Sequence, residues 1–313
     1  MSGTTPTASS GSAPQGRPLG QQGSGPSSSR ERYRRLRWTL ITAGAVAAAI
    51  WGITAAQDAA APPTASAGVG PDLHTLAVVG EALYIGGHSA VAQSLDSGKT
   101  WSRLSSLDNA DAMGWAVTDN AVLFGGAAGL YRSTREAVDF TRITEGVPAD
   151  GVRALGGAGS TVYLASPSAG LLVSHDAGQT WQTRNSEAGS TFLGTIQVDA
   201  SNPERIIVPD TKSGLRLSTD GGKTFTSLGG PANARYATRN PADPDKLVAV
   251  GADGAAKSKD AGSTWQDIDV PPGTSKVQYA ADGRTLYAAT AIDNQPARLY
   301  RSGDDGANWQ PTA

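Results

Sequence analysis

From residue 71 onward, short apolar runs alternate with turn-forming clusters, and the runs fall into sets that repeat. In the first set they are Leu73–Val79, Ala82–Gly86, Val91–Ser94 and Thr100–Leu104, bounded by Gly, Asp, Ser and Asn. That length and punctuation predict β-strands. The second runs superpose as ALYIGG, AVLFGG, TVYLAS, RIIVPD, KLVAVG and TLYAAT, beginning at Ala82, Ala121, Thr161, Arg205, Lys246 and Thr285. The third runs superpose as AVAQS, GLYRS, GLLVS, GLRLS, GAAKS and RLYRS. Six four-stranded antiparallel units in series predict an all-β domain over residues 71–313, a six-bladed β-propeller closed by packing blade six on blade one.

Each third run leads into an octet. SLDSGKTW at Ser94–Trp101 recurs as SHDAGQTW, STDGGKTF, SKDAGSTW and SGDDGANW. Its aspartates, Asp96, Asp176, Asp220, Asp260 and Asp304, lie 80, 44, 40 and 44 residues apart, and the wide gap holds a decayed copy, STREAVDF at Ser133–Phe140. The octet predicts a tight turn between the outer two strands. The carboxylate accepts from backbone N–H groups two residues on, and the Gly supplies a positive φ. The aromatic, at Trp101, Trp181, Phe225, Trp265 and Trp309, packs between neighbouring sheets. In the decayed copy Arg135, Ala137 and Asp139 replace Asp, Gly and Thr, which predicts a looser turn.

The octet resembles the Asp box, or BNR repeat, of sialidases, sortilin, xyloglucanases and the photosystem II assembly-factor family. The resemblance implies a propeller and puts the octets on the face opposite the ligand, so their aspartates are structural. The stretch from His74 through GGHSA and DAMGW to the octets is similar to a bacterial exported Asp-box family labelled glycosyl hydrolase-like, over about residues 71–313. That resemblance implies an exported propeller, and the photosystem II assembly-factor likeness implies that the fold can bind protein without catalysis.

Residues 1–29 are Ser, Gly, Pro, Thr and Gln with almost nothing apolar, which predicts a disordered tail. Residues 30–56 join a basic cluster, Arg30, Arg32, Arg34, Arg35 and Arg37, to the uncharged run Trp38–Ala56. As a helix its 19 residues span roughly 28 Å, enough to cross the hydrocarbon core as a signal-anchor. The arginines hold its N-terminal side in the cytoplasm, so the propeller is expected outside the cell after an Ala/Pro linker, residues 57–70. The alternative is secretion after cleavage at Ala65-Ser66-Ala67. There is no cysteine, so the core stands without disulfides. The first 56 residues carry six Arg and one Glu, which at a whole-chain charge of −2 leaves −7 on the remainder and argues against nucleic acid as its partner.

On this layout the loops between second and third strands share one face with the lead-ins to the innermost strands. That face carries His88, Asp210 and Lys212. The first inward positions, lining the channel mouth, are His74, Met113, Arg153, Gly194, Arg235 and Val277, with Lys276 beside the last. Arg153, Arg235 and Lys276 form a cationic mouth able to clamp a carboxylate. His74, His88 and Met113, with Asp111 close by, offer imidazole, thioether and carboxylate donors suited to copper or zinc. No metal and no cofactor is predicted. The leading expectation is a monomeric, non-catalytic, membrane-anchored propeller that binds an extracellular protein or carbohydrate. The alternatives are a glycoside hydrolase of exo-α-sialidase type, although the ring lacks a third arginine, and a metal-binding propeller.

Overall fold

Apolar residues run consecutively through the second strand of every set, as they do in strands covered on both faces. The fourth runs are short and polar. The computed structural model turns this gradient into geometry: second strands are buried along most of their length, and outermost strands such as Ser102–Arg103, Thr226–Ser227 and Gln310–Pro311 are exposed. The structure describes Val69, residues 72–292 and residues 296–312. The chain divides into Met1–Asp58 and Ala59–Ala313, and every described residue falls in the second unit. Among the described residues no helix is long and apolar enough to cross a membrane. The predicted tail, the span Trp38–Ala56 and the linker apart from Val69 lie outside them.

Among the described residues six sheets are present. Blade one is Thr75–Val79, Ala82–Gly86, Val91–Ser94 and Ser102–Arg103, and blade two is Ala112–Val117, Val122–Gly126, Gly129–Ser133 and Thr141–Ile143. Blade three holds Ala154–Ala158, Thr161–Ser166, Gly170–Ser174 and Gln182–Asn185, and blade four Gln197–Asp199, Asn202–Asp210, Gly214–Ser218 and Thr226–Ser227. Blade five is Tyr236–Arg239, Leu247–Gly251, Gly254–Ser258 and Gln266–Ile268, and blade six Thr274–Tyr279, Leu286–Thr290, Arg298–Ser302 and Gln310–Pro311. Within every blade the strands pair antiparallel in sequence order. The first strand of each blade packs on the first strands of both neighbours around the full circle, blade six meeting blade one.

Six hydrophobic clusters fill the six spaces between blades. The closing layer joins Leu76, Leu83 and Ile85 of blade one to Tyr287, Ala289 and Leu299 of blade six. Each octet aromatic of the five close copies packs against one of these layers, as expected.

The octets are turn clamps of near-identical geometry. In the first, Ser94 Oγ donates to Asp96 Oδ1 at 2.8 Å and accepts from Gly98 N at 2.8 Å. Thr100 N and Thr100 Oγ1 donate to the two Asp96 oxygens at 2.8 and 2.7 Å. The carboxylate therefore reaches four residues along the chain rather than two. The reason lies at the fourth and fifth positions, which are both left-handed, with φ of 62° at Ser97 and 91° at Gly98, and so fold the chain back over the carboxylate. In the decayed copy only Ala137 keeps a positive φ, and the clamp is replaced by an outside tether, Arg135 Nη1 donating to the Thr118 carbonyl at 2.6 Å.

Two departures from six equal blades matter for the mouth. The innermost strand of blade four is split: Gly194–Thr195 pairs parallel with Ala154–Leu155 of blade three, and only Gln197–Asp199 joins its own sheet. Gly156 permits this, because a Cβ there would lie 1.8 Å from the Ile196 carbonyl oxygen. Blades two and six carry β-bulges, with Met113 the extra residue between Ala112 and Gly114 and Ser275 the extra residue between Thr274 and Lys276. A bulge re-aims every side chain before it. Val277 follows the bulge in regular register with Ala288, and it points into the layer between blades five and six, fully buried, and not into the channel as expected.

Candidate functional site at the channel mouth

The lead-ins to the inner strands and the second-to-third-strand loops meet on one face. Blade one supplies Asp72 and His74 from its lead-in and His88 from its loop; blade two supplies Asp111. The two blades are stitched here by backbone bonds: Asp111 N donates to the His88 carbonyl at 3.2 Å and Ala112 N to the Gly87 carbonyl at 3.1 Å. Asp111 sits at φ 54°, a left-handed conformation that turns its carboxylate toward the histidines.

His74, mostly buried, is the hub. Its Nε2 lies 3.1 Å from Asp72 Oδ1, and its Nδ1 lies 3.2 Å from both Asp111 Oδ1 and the Ala112 carbonyl. Hydrogen-bond geometry is met only by the carbonyl, so the buried Asp111 Oδ1 has no hydrogen-bond partner. His88, more than half exposed, touches Asp72 Oδ2 through Nδ1 and stands with Nε2 3.8 Å from Asp111 Oδ1. The two imidazoles meet edge to face with centroids 4.2 Å apart.

Blades five and six contribute Tyr236 and Lys276. Tyr236 Oη crosses from blade five to donate to the Leu76 carbonyl of blade one at 2.7 Å, and burial pushes its pKa well above the usual phenol range. Lys276 Nζ lies 5.5 Å from the centroid of that ring, a cation–π distance. Burial pushes the lysine pKa down to about 8, against the pull of the Asp72 carboxylate.

The sequence-derived positions divide as follows. His74, His88 and Asp111 come together, as expected, and Lys276 lies within the field of Asp72. Met113 is placed in the bulge between Ala112 and Gly114. Arg153 precedes the blade three inner strand, half-buried, with its Nε buried and unpartnered. Arg235 stands exposed in the corresponding position of blade five. Asp210 and Lys212 form a local turn, Lys212 N donating to Asp210 Oδ1 at 2.8 Å, and Asp210 lines a separate cavity of about 360 Å³ with Phe192, Arg216 and Phe225 between blades three and four. Asp72 was missed. Its signal was present, because Asp72 and His74 are two residues apart in an extended segment and so share a side.

Among the buried polar atoms without hydrogen-bond partners, five belong to residues at or just before the starts of inner strands: Thr75 Oγ1, Asp111 Oδ1, Arg153 Nε, Thr195 Oγ1 and Ser275 Oγ, from blades one, two, three, four and six. Tyr236 and Tyr279 are not placed as a sialidase nucleophile. Tyr236 is committed to a carbonyl in the interior, and Tyr279 Oη donates to Asp305 of the last octet at 2.5 Å, its pKa raised by burial and then by that carboxylate. The exo-α-sialidase alternative finds no support in this arrangement.

The family described as BNR/Asp-box repeat matches residues 172–183, the third strand and octet of blade three. A xyloglucanase of Hypocrea jecorina (strain QM6a) is 26% identical over 228 residues, 71% of this chain and 22% of that protein. Among solved structures, a GH74 xyloglucanase from Xanthomonas campestris superposes with a TM-score of 0.52 at 18% identity, covering 79% of this chain and 46% of that one. A chain of a nidogen/laminin complex superposes with a TM-score of 0.55 at 12% identity, covering 73% and 91%. The chain thus spans about a fifth of the curated relative it matches. At these identities the solved structures establish the fold alone: an Asp-box propeller of six blades.

Proposed function

We propose that this chain is a membrane-tethered, exported propeller that binds a glycan or protein ligand at its channel mouth without cleaving it. The observation that carries this reading is that five of the six blades each place an unpartnered polar atom at or just before the start of the inner strand. Buried polar atoms cost about 1–3 kcal/mol each when left unmade, and a polar ligand seated there offsets that cost. Arg153, Arg235 and Lys276 add cationic groups that favour carboxylate or other anionic substituents on the ligand. The basic cluster before Trp38–Ala56 supports a cytoplasmic N-terminus with the propeller outside.

A glycoside hydrolase is the second reading, favoured by the likeness to a xyloglucanase. Its chemistry needs two carboxyl groups flanking a scissile bond. Asp72 and Asp111 are the pair at the mouth, with His74 between them.

Both readings are tested on the full-length chain in detergent with a glycan panel that includes xyloglucan oligosaccharides, measuring binding by calorimetry and cleavage by new reducing ends. Saturable binding weakened by Arg153→Ala or Arg235→Ala, without cleavage, supports a binding module. Turnover abolished by Asp72→Asn or Asp111→Asn replaces it with the hydrolase. Fractionation tests the topology: a mature N-terminus near Gly68 would mean secretion in place of anchoring.

A further inference from the structure

Among the described residues, one group of ligand-bearing side chains has donor atoms within 4.8 Å of one another: Asp72, His74 and His88. We propose that these three residues bind a borderline divalent transition ion, zinc or copper(II), at the channel mouth.

The argument starts from the tautomer of His74. Its Nδ1 has hydrogen-bond geometry to the Ala112 carbonyl, which can only accept, so Nδ1 carries the proton and Nε2 presents a lone pair. That lone pair faces Asp72 Oδ1 at 3.1 Å, an acceptor facing an acceptor. His88 turns Nδ1 to the other oxygen of the same carboxylate. His88 can meet that oxygen as a donor in its neutral Nδ1–H tautomer, so the contact left unanswered is that of the His74 lone pair. A divalent cation held among the three donors answers that lone pair.

The surroundings are those of ligating histidines. A metal-bound imidazole donates its remote N–H to a carbonyl or carboxylate, which fixes the ring and raises its basicity. His74 has the Ala112 carbonyl in that place. His88 has the buried, unpartnered Asp111 Oδ1, 3.8 Å from Nε2, within reach after a small ring rotation. Gly87 makes the assembly possible, because a Cβ there would lie 2.2 Å from the Asp72 carbonyl oxygen and push the lead-in away from the loop that carries His88. Two imidazoles and a carboxylate suit zinc or copper(II), whereas magnesium and calcium favour all-oxygen sets. Three protein ligands leave positions open on the solvent side, where His88 and Asp72 are exposed. The proposal stands whether or not the mouth binds a glycan or protein.

The test titrates untagged, chelator-treated full-length protein in detergent with ZnCl₂, CuCl₂, MgCl₂ and CaCl₂, following heat and the melting temperature. The expected result is one equivalent of zinc or copper bound with a rise in melting temperature, none for magnesium or calcium, and loss of binding in His74→Ala, His88→Ala and Asp72→Asn. His175→Ala, in an octet turn on the opposite face, keeps the site. Because His88 is exposed on a loop, its variant folds even if His74→Ala does not, and a metal-free melt equal to the unaltered chain establishes that. Absence of binding, equal response to calcium, or binding unchanged in both His88→Ala and Asp72→Asn overturns the proposal.

Discussion

Gly156→Ala probes the least expected feature of the ring, the close pass of the split blade four strand over the inner strand of blade three. A Cβ at Gly156 would lie 1.8 Å from the Ile196 carbonyl oxygen, 2.6 Å from its carbon and 2.7 Å from the Ile196 Cβ. Ordinary contact begins near 3.4 Å, so the two backbones must part by about 1.6 Å. Neither is free to move. Gly156 pairs with Tyr163 on one side, and Ile196 N donates to the Leu155 carbonyl at 2.9 Å on the other. Overpacking in a rigid core costs about 1–3 kcal/mol, and a backbone-on-backbone clash belongs at the upper end. The gain from a stiffer unfolded chain offsets about 0.4–1 kcal/mol of that. A net loss of about 2 kcal/mol lowers the melting temperature of a domain of this size by about 4–8 °C. Gly303→Ala is the control: its nearest neighbour is the Arg301 Nη1 atom at 3.8 Å and its φ is not left-handed, so it is neutral or slightly stabilising. The assay is thermal unfolding of both variants by circular dichroism. A Gly156→Ala melt equal to that of Gly303→Ala would refute the close approach of blades three and four.

Acid should unfold the propeller through its octets. Hydrogen bonds from Thr100, Thr264 or Asn308 hold Asp96, Asp260 and Asp304 at about 2, below the usual 3.8, and those from Thr180 and Thr224 hold Asp176 and Asp220 lower still. Depressed native values mean that the unfolded chain takes up protons first, so the octets' contribution is complete above about pH 4 and is lost as pH falls toward 2. Denaturant midpoints measured from pH 6 to 2 check this, and a flat profile below pH 4 contradicts it. Tyr236→Phe removes the hydroxyl that joins blade five to Leu76 of blade one, and about 1 kcal/mol of stability should go with it. An unchanged urea midpoint would mean that this cross-channel bond contributes nothing. Asp199→Asn leaves the buried Arg239 guanidinium, 3.4 Å away, without its counter-charge and should cost about 3 kcal/mol. The double variant Asp199→Asn/Arg239→Met should recover part of that loss, and strict additivity of the two changes would count against the pair.

The octets and strand sets were legible because each blade solves the same packing problem, so the chain repeats its solution. Five copies of one clamp fix phase, and phase fixes which loops share a face. What did not follow from phase was the register at the mouth. A single-residue slip moves side chains to the other side of a strand. Met113 and Ser275 are such extra residues, and each offsets its lead-in from the strand that follows, where Val277 pairs with Ala288 and lies in the core. Blade four escaped the alignment for a related reason, since Gly194, at φ 92°, diverts the chain to the blade three edge before it returns to its own sheet. The buried Asp199–Arg239 pair was not anticipated, because nothing in a repeat pattern marks a charge that is paired across two blades.

The glycines explain why the titratable cluster falls between blades one and two. In the aligned second-strand segments the sixth position is Gly87, Gly126, Ser166, Asp210, Gly251 and Thr290. Where it is Gly, the incoming lead-in presses its backbone onto that site: a Cβ would lie 2.2 Å from the Asp72 carbonyl oxygen, 2.0 Å from that of Ala110 and 2.2 Å from that of Ala232. Where it carries a side chain, that side chain takes part in the loop, as when Ser166 Oγ donates to Asp150 Oδ1 at 2.9 Å and Asp210 accepts from Lys212 N. Blades one and two are consecutive and both have the glycine, so two lead-ins converge and bring Asp72 and His74 against Asp111. Blade five has the glycine but neither neighbour does, and its lead-in residue Arg235 stays alone and exposed. The asymmetry of the mouth is therefore written in one column of the repeat, at a position whose chemistry is the lack of a side chain.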